Sequence, residues 1–167
     1  MQRIGFVIFP GFQLMGLSAL SVFEFANLEA GEPVYDVHLL SETGGLVCMS
    51  MGASIETEAF SDAEFDTLIV GGATAITPST PGLIAFVQKA MGRSRRLAST
   101  CTGAFILAEA GVLDGLRATT HWFYARDLQR QFPKVKMEED RIFIVEGSVW
   151  TSAGNTAGID LALAMVE

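Results

Sequence analysis

Histidine and cysteine are scarce in this 167-residue chain, two of each, and the scarcity narrows the chemistry at once. The cysteines, Cys48 and Cys101, lie far apart in no metal-ligand spacing, which argues against a disulfide scaffold or a zinc site and for a reducing compartment. Basic residues are few as well: eleven Lys and Arg against nineteen Asp and Glu leave a net charge of −8. Gripping phosphates needs clustered Lys and Arg, so this segment is not expected to hold DNA by itself. Its one basic cluster, Arg93, Arg95 and Arg96, fits a solvated strand edge at least as well as a binding patch. No apolar run reaches the roughly 18–20 residues of a membrane span. The opening run Gln2 to Phe9 stops at Pro10-Gly11, without the layout of a signal peptide. The expected location is the cytoplasm, with no membrane partner, metal or cofactor called for.

What is present is a core. Half of the residues are hydrophobic and only 18% are charged, and a chain of this length suits one domain burying roughly 68–70% of its unfolded surface. Gly5 to Phe9 is a nearly continuous apolar run that reads as a parallel strand buried on both faces. A helix over Leu17 to Ala26 follows, then a strand at Tyr35 to Leu40. His38, within that strand and with no partner evident nearby, reads as structural or surface histidine. Gly44-Gly45 and Gly52 punctuate Leu46 to Met51 and Ser54 to Thr57, which suggests an edge hairpin with Cys48 as filler. Phe65 to Val70 is a third core strand ending at Gly71-Gly72, either a plain tight turn or a place where backbone N–H groups approach a ligand. Thr80 as N-cap and Pro81 at the first helical position start a helix running to Met91. Further on, a helix spans Trp122 to Phe132, strands at Ile142 to Val145 and Ser148 to Thr151 share a tight turn, and a last helix covers Asn155 to Val166. That helix has no stop signal, which predicts a domain cut from a longer polypeptide. The alternation of strands and helices points to an α/β, flavodoxin-like, doubly wound and mostly parallel sheet with helices on both faces.

The stretch Arg96 to Ala108 carries the chemistry. A short buried strand ends in small and hydroxylic residues, a thiol sits at the turn and a helix follows at once, which is the grammar of a nucleophile elbow at Cys101. A thiol at a helix N-terminus can have its pKa lowered to roughly 3.5–7.5; a buried free cysteine is otherwise a small hydrophobe.

Phe9-Pro10-Gly11-Phe12, Leu68 to Gly72, Ser99 to Gly115, Ala118 to Trp122 and Thr151 to Gly154 together resemble the ThiJ/PfpI superfamily, of class I glutamine amidotransferase-like fold. More narrowly they are similar to the N-terminal domain of AraC-type transcriptional regulators of the GlxA kind. The resemblance covers essentially the whole of residues 1–167, and it implies a helix-turn-helix domain beyond this chain, through which alone DNA would be bound, and a homodimer. Trp122 and Trp150 are expected in the core or a dimer interface. Cys101 matches the nucleophile and His121 a histidine placed near it. Gly72 and Thr102 match backbone donors of an oxyanion-type hole, and Gly71, Gly72, Cys101, Thr102 and Gly103 are the expected ligand contacts. The superfamily's enzymes commonly set an acidic residue after the first strand, where this chain reads Gln13-Leu14-Met15-Gly16-Leu17-Ser18. Glu24 lies further along.

The preferred reading is therefore a domain sensing a small-molecule effector within a transcription regulator, its elbow cysteine set in a pocket without the full catalytic machinery, with enzyme activity left open. Two alternatives stand beside it. One is a cysteine-dependent hydrolase, isocyanide hydratase-like or glyoxalase-like enzyme using Cys101 and His121. The other is oxidative sensing at the Cys101 thiol.

Overall fold

The computed structural model describes residues 1–166. In chain order the elements are β1 (Gln2–Val7), α1 (Ser18–Ala30), β2 (Tyr35–Ser41), β3 (Gly45–Cys48), β4 (Ser54–Ala59), β5 (Thr67–Val70), α2 (Pro81–Ala90), β6 (Arg96–Ser99), α3 (Gly103–Glu109), β7 (Arg117–Ala118), α4 (Ala125–Gln131), β8 (Lys136–Met137), β9 (Phe143–Glu146), β10 (Val149–Ser152) and α5 (Ala157–Val166). Short 3-10 turns precede α1 at Leu14–Leu17 and α4 at Trp122–Tyr124.

Eight strands form one sheet in the order β3-β4-β2-β1-β5-β6-β10-β9. The pairs from β4 through β10 are parallel, and each edge is closed by an antiparallel strand, β3 on β4 and β9 on β10. This is the doubly wound α/β architecture. The chain winds outward from β1 to β2 and returns to the other side of β1 as β5, so the crevice opens beyond the carboxyl ends of β1 and β5.

Strand alternation divides the interior between two faces. Ile4 and Phe6 of β1, Ile69 of β5 and Ala98 of β6 pack with Phe23 of α1 and Leu161 and Met165 of α5. Val7, Leu68, Val70 and Leu97 pack the opposite way, with Leu83 and Val87 of α2, Phe105 and Leu107 of α3 and Leu128 of α4. Thr80 caps α2 as its sequence predicts, its hydroxyl accepting the Leu83 N–H at 3.2 Å with Pro81 next in line.

Several local expectations change. The helix expected from Trp122 splits into a 3-10 turn and α4, and the last helix begins at Ala157. Leu116 to Thr120 contributes β7, which pairs with β8 in a separate two-stranded parallel sheet. Cys48 is exposed and fills nothing, because it lies on the outward side of β3 while Val47 turns inward. His38 has close partners after all: its ring nitrogens each lie 2.8 Å from a carboxylate, Asp36 two residues away and Glu58 on β4. Trp122 is exposed, whereas Trp150 is half-buried with the Arg96 guanidinium 5.0 Å from its ring centroid.

Candidate functional site

Cys101 sits between β6 and α3 with φ of 53°, a left-handed conformation that costs a non-glycine residue about 1–3 kcal/mol. Its surroundings fix it there. The Cys101 N–H donates to the Ala153 carbonyl at 3.2 Å, the Thr120 hydroxyl donates to the Cys101 carbonyl at 2.8 Å, and the Thr100 N–H donates to Val70 at 3.0 Å. Two glycines make room for the turn. A β-carbon on Gly103 would lie 2.3 Å from the Val70 carbonyl oxygen, and one on Gly72 would lie 2.8 Å from the Thr102 nitrogen and 3.0 Å from the Cys101 β-carbon. Close backbone approach therefore demands glycine at both.

The thiol opens into a pit lined by Gln13, Met15, Gly16, Gly72, Thr100, Cys101, Asn155 and Gly158. Its volume is about 10 Å³, room for one water at most. Burial pushes the Cys101 thiol pKa up, outweighing backbone N–H donors from Thr102 and Asn155 and a side-chain contact with Thr102 that favour the thiolate. Of the two outcomes open from the sequence, a thiol helped by the helix start or one held by burial, lost solvation wins at this half-buried turn. No carboxylate or imidazole lines the pit among the described residues. Gly16, which follows the first strand, lines the pit without a side chain, and Glu24 is exposed on α1.

The remaining expected residues divide. Gly72 and Cys101 line the pit. Gly71 and Gly103 line neither it nor a second, larger cavity: the Gly71 N–H donates to Val7 at 3.1 Å and the Gly103 N–H to Thr100 at 2.9 Å. The His121 ring packs on Gly154, whose β-carbon would fall 2.2 Å from His121 Cδ2, and His121 Nδ1 accepts the Phe123 N–H at 3.2 Å. Asn155, with φ of 54°, was missed as a donor to the sulfur. The Gly154-Asn155 pair, a combination that tolerates positive φ, was the available signal.

A second space is lined by neighbours in sequence of the pit residues. Thr102 Oγ accepts the Ala73 N–H and donates to the Ala73 carbonyl, both at 2.9 Å, tying the two loops together. Ala73 and Thr102 line a cavity of about 400 Å³ bounded also by Phe9, Phe60, Phe105, the loop over 75–80 and the β2–β3 turn. Nothing in the sequence announces it, because its sides come from segments far apart in the chain. Among the described residues no group of three or more His, Cys, Asp or Glu could hold a metal ion, and no helix is long and apolar enough to cross a membrane.

The DJ-1/PfpI family model matches residues 2–167. The HTH-type transcriptional regulator GbdR of Pseudomonas aeruginosa is 36% identical over 169 residues, spanning 99% of this chain and 46% of the regulator. The HTH-type transcriptional regulator GlxA of Rhizobium meliloti is 32% identical, covering 99% of this chain and 52% of its own length. The chain thus spans about half the length of the regulators it matches. Isonitrile hydratase of Pseudomonas putida is also 32% identical, over 99% of this chain and 71% of the enzyme. In three dimensions, an AraC family transcriptional regulator from Pseudomonas putida superposes with a TM-score of 0.89 at 23% identity, covering 99% of this chain and 91% of that one.

Proposed function

This chain belongs to the DJ-1/PfpI family, and from that membership we propose that it is the small-molecule-sensing part of an AraC-type transcription regulator. In this reading DNA is contacted by a helix-turn-helix domain outside these residues, the protein works in the cytoplasm, and two copies pair. The regulators matched along 99% of the chain support it. One observation of the structure carries it: the cysteine pit holds about 10 Å³ and no carboxylate lines it among the described residues, while Ala73 and Thr102, next in sequence to the pit's Gly72 and Cys101, line a separate cavity of about 400 Å³. That favours holding a molecule over transforming one, since general acid–base help contributes about 10²–10⁴-fold and no side chain lining the pit supplies it.

The test is a metabolite screen by thermal shift, each hit then followed by chromatography after prolonged incubation. A sensor yields compounds that raise the midpoint and are recovered intact. Consumption of every binding compound, abolished by Cys101→Ala, would overturn the reading in favour of an enzyme. That second reading has its own support in the strained φ of Cys101, the two N–H donors at its sulfur and the similarity to isonitrile hydratase. It assigns Cys101 as nucleophile and Thr102 and Asn155 N–H groups as stabilisers of developing negative charge.

A further inference from the structure

The 400 Å³ cavity lies within the size range of small-molecule sites, and its walls specify what it can hold. Its lining is mostly apolar, with the side chains of Phe9, Phe60 and Phe105 among the contributors. Among the described residues its charged lining is Glu42, from the turn after β2, and Glu109, the last residue of α3, with no Lys, Arg or His.

Both carboxylates are anchored by neutral donors. Glu109 accepts the Ser79 N–H and the Ser79 hydroxyl, each at 3.1 Å, and Glu42 accepts the Thr80 hydroxyl at 2.6 Å. Neither forms an ion pair within 4 Å with a cationic side chain among the described residues. Two fixed negative charges at an apolar, aromatic-walled space disfavour an anion and reward a cation, which gains charge-assisted hydrogen bonds at one end and ring faces along its body. A zwitterion carrying its own carboxylate would find no basic side chain there.

We propose that this cavity is the effector site and that its occupant is a small hydrophobic amine, bound as the ammonium and carrying no carboxylate, with its head at Glu109 and Glu42. The proposal rests on the sensing reading and adds the place and the chemical class. The 74–80 loop, through Ser79 and Thr80, joins both carboxylates to the start of α2, so an occupied site would be felt at that helix.

Three probes of equal chain length decide it: hexylammonium, hexan-1-ol and hexanoate, titrated calorimetrically into the protein. The expected order is ammonium tightest, by about tenfold over the alcohol, with hexanoate weakest. Glu109→Gln should bring the ammonium down to the level of the alcohol and leave the alcohol unchanged, with Glu42→Gln as the independent second variant. If either variant fails to fold by circular dichroism, the three-probe order on the unaltered protein still decides. Absence of ammonium binding, equal affinity for all three, preference for hexanoate, or selectivity retained in both folded variants would overturn the proposal. None of those results touches the sensing reading, which is tested separately by whether the compounds that do bind are consumed.

Discussion

At the scale of single residues, the Cys101 thiol combines backbone strain with burial, and the two have opposite consequences for its reactivity. The elbow was legible in Ser99-Thr100-Cys101-Thr102-Gly103 because a turn this tight from strand to helix has room only for small residues. Its electrostatics were not, because the burial comes from Gln13, Met15 and Gly158, none of them near in sequence. With the pKa raised by burial, the thiolate is a minor species at neutral pH. Alkylation of Cys101 by iodoacetamide should therefore be slow at pH 7 and accelerate only above the ordinary thiol range near about pH 8.5, read by mass spectrometry of the peptide in a Cys48→Ser background. A rate already at its plateau at pH 7 would refute this. The same burial predicts little oxidation by mild peroxide, against a redox-sensing role. Gly103→Ala is the complementary test of packing: its β-carbon meets the Val70 carbonyl, a backbone atom with no rotamer to yield. Destabilisation of about 1–3 kcal/mol or more is expected from the shift in urea midpoint.

At the scale of elements, periodicity and caps revealed most of the chain. The nearly continuous apolar run Gly5 to Phe9 pointed to β1, which the structure sets at Gln2–Val7, and Thr80-Pro81 located the start of α2 to the residue. Thr80→Ala should cost about 1 kcal/mol in thermal or urea unfolding, the usual worth of such a cap, and Thr80→Ser should restore most of it. The two-residue strands β7 and β8 escaped notice because so short a pairing leaves no periodic pattern; it forms only once Lys136 N–H reaches the Leu116 carbonyl at 2.9 Å. The β2–β4 contact hid a titrating group in the same way, since Glu58 comes to His38 only through the sheet. Partial burial disfavours the imidazolium, but hydrogen bonds to Glu58 and Asp36 outweigh it and raise the His38 pKa above 6.5. The folded protein thus holds this proton more tightly than the unfolded chain does. The resulting stability is fully present below about pH 6.5 and fades as pH rises through the folded value. Relative to His38→Gln, the unaltered protein should lose melting temperature between about pH 6 and about pH 8. Parallel curves for the two proteins across that window would refute the pairing.

At the scale of the whole molecule, the charge balance and the fold together bear on how the proposed regulator would divide its labour. The net charge of −8 was plain in the sequence; what the fold adds is that six of the eleven basic side chains are ion-paired. Lys89 pairs with Asp62, Arg93 with Glu64, Arg117 with Glu138 and Glu146, Arg126 with Glu139, Arg130 with Asp127 and Arg141 with Glu138. The cluster that composition singled out is likewise occupied: Arg95 donates to Gln2 at 2.5 Å and Arg96 lies over Trp150. Exposed pairs of this kind are individually weak, yet each places a carboxylate beside a cation that a phosphate would otherwise meet. DNA binding by residues 1–167 would have to displace those carboxylates against a net negative field, with no counterion release large enough to drive it. Fluorescence anisotropy with a labelled duplex at about 50 mM salt, the low-salt condition that favours phosphate contacts, should accordingly show no saturable binding by this chain. Binding whose logarithm falls steeply and linearly with the logarithm of salt concentration would place phosphate contacts inside this domain. It would overturn the division between a sensing half and a DNA-reading half on which the regulator proposal depends.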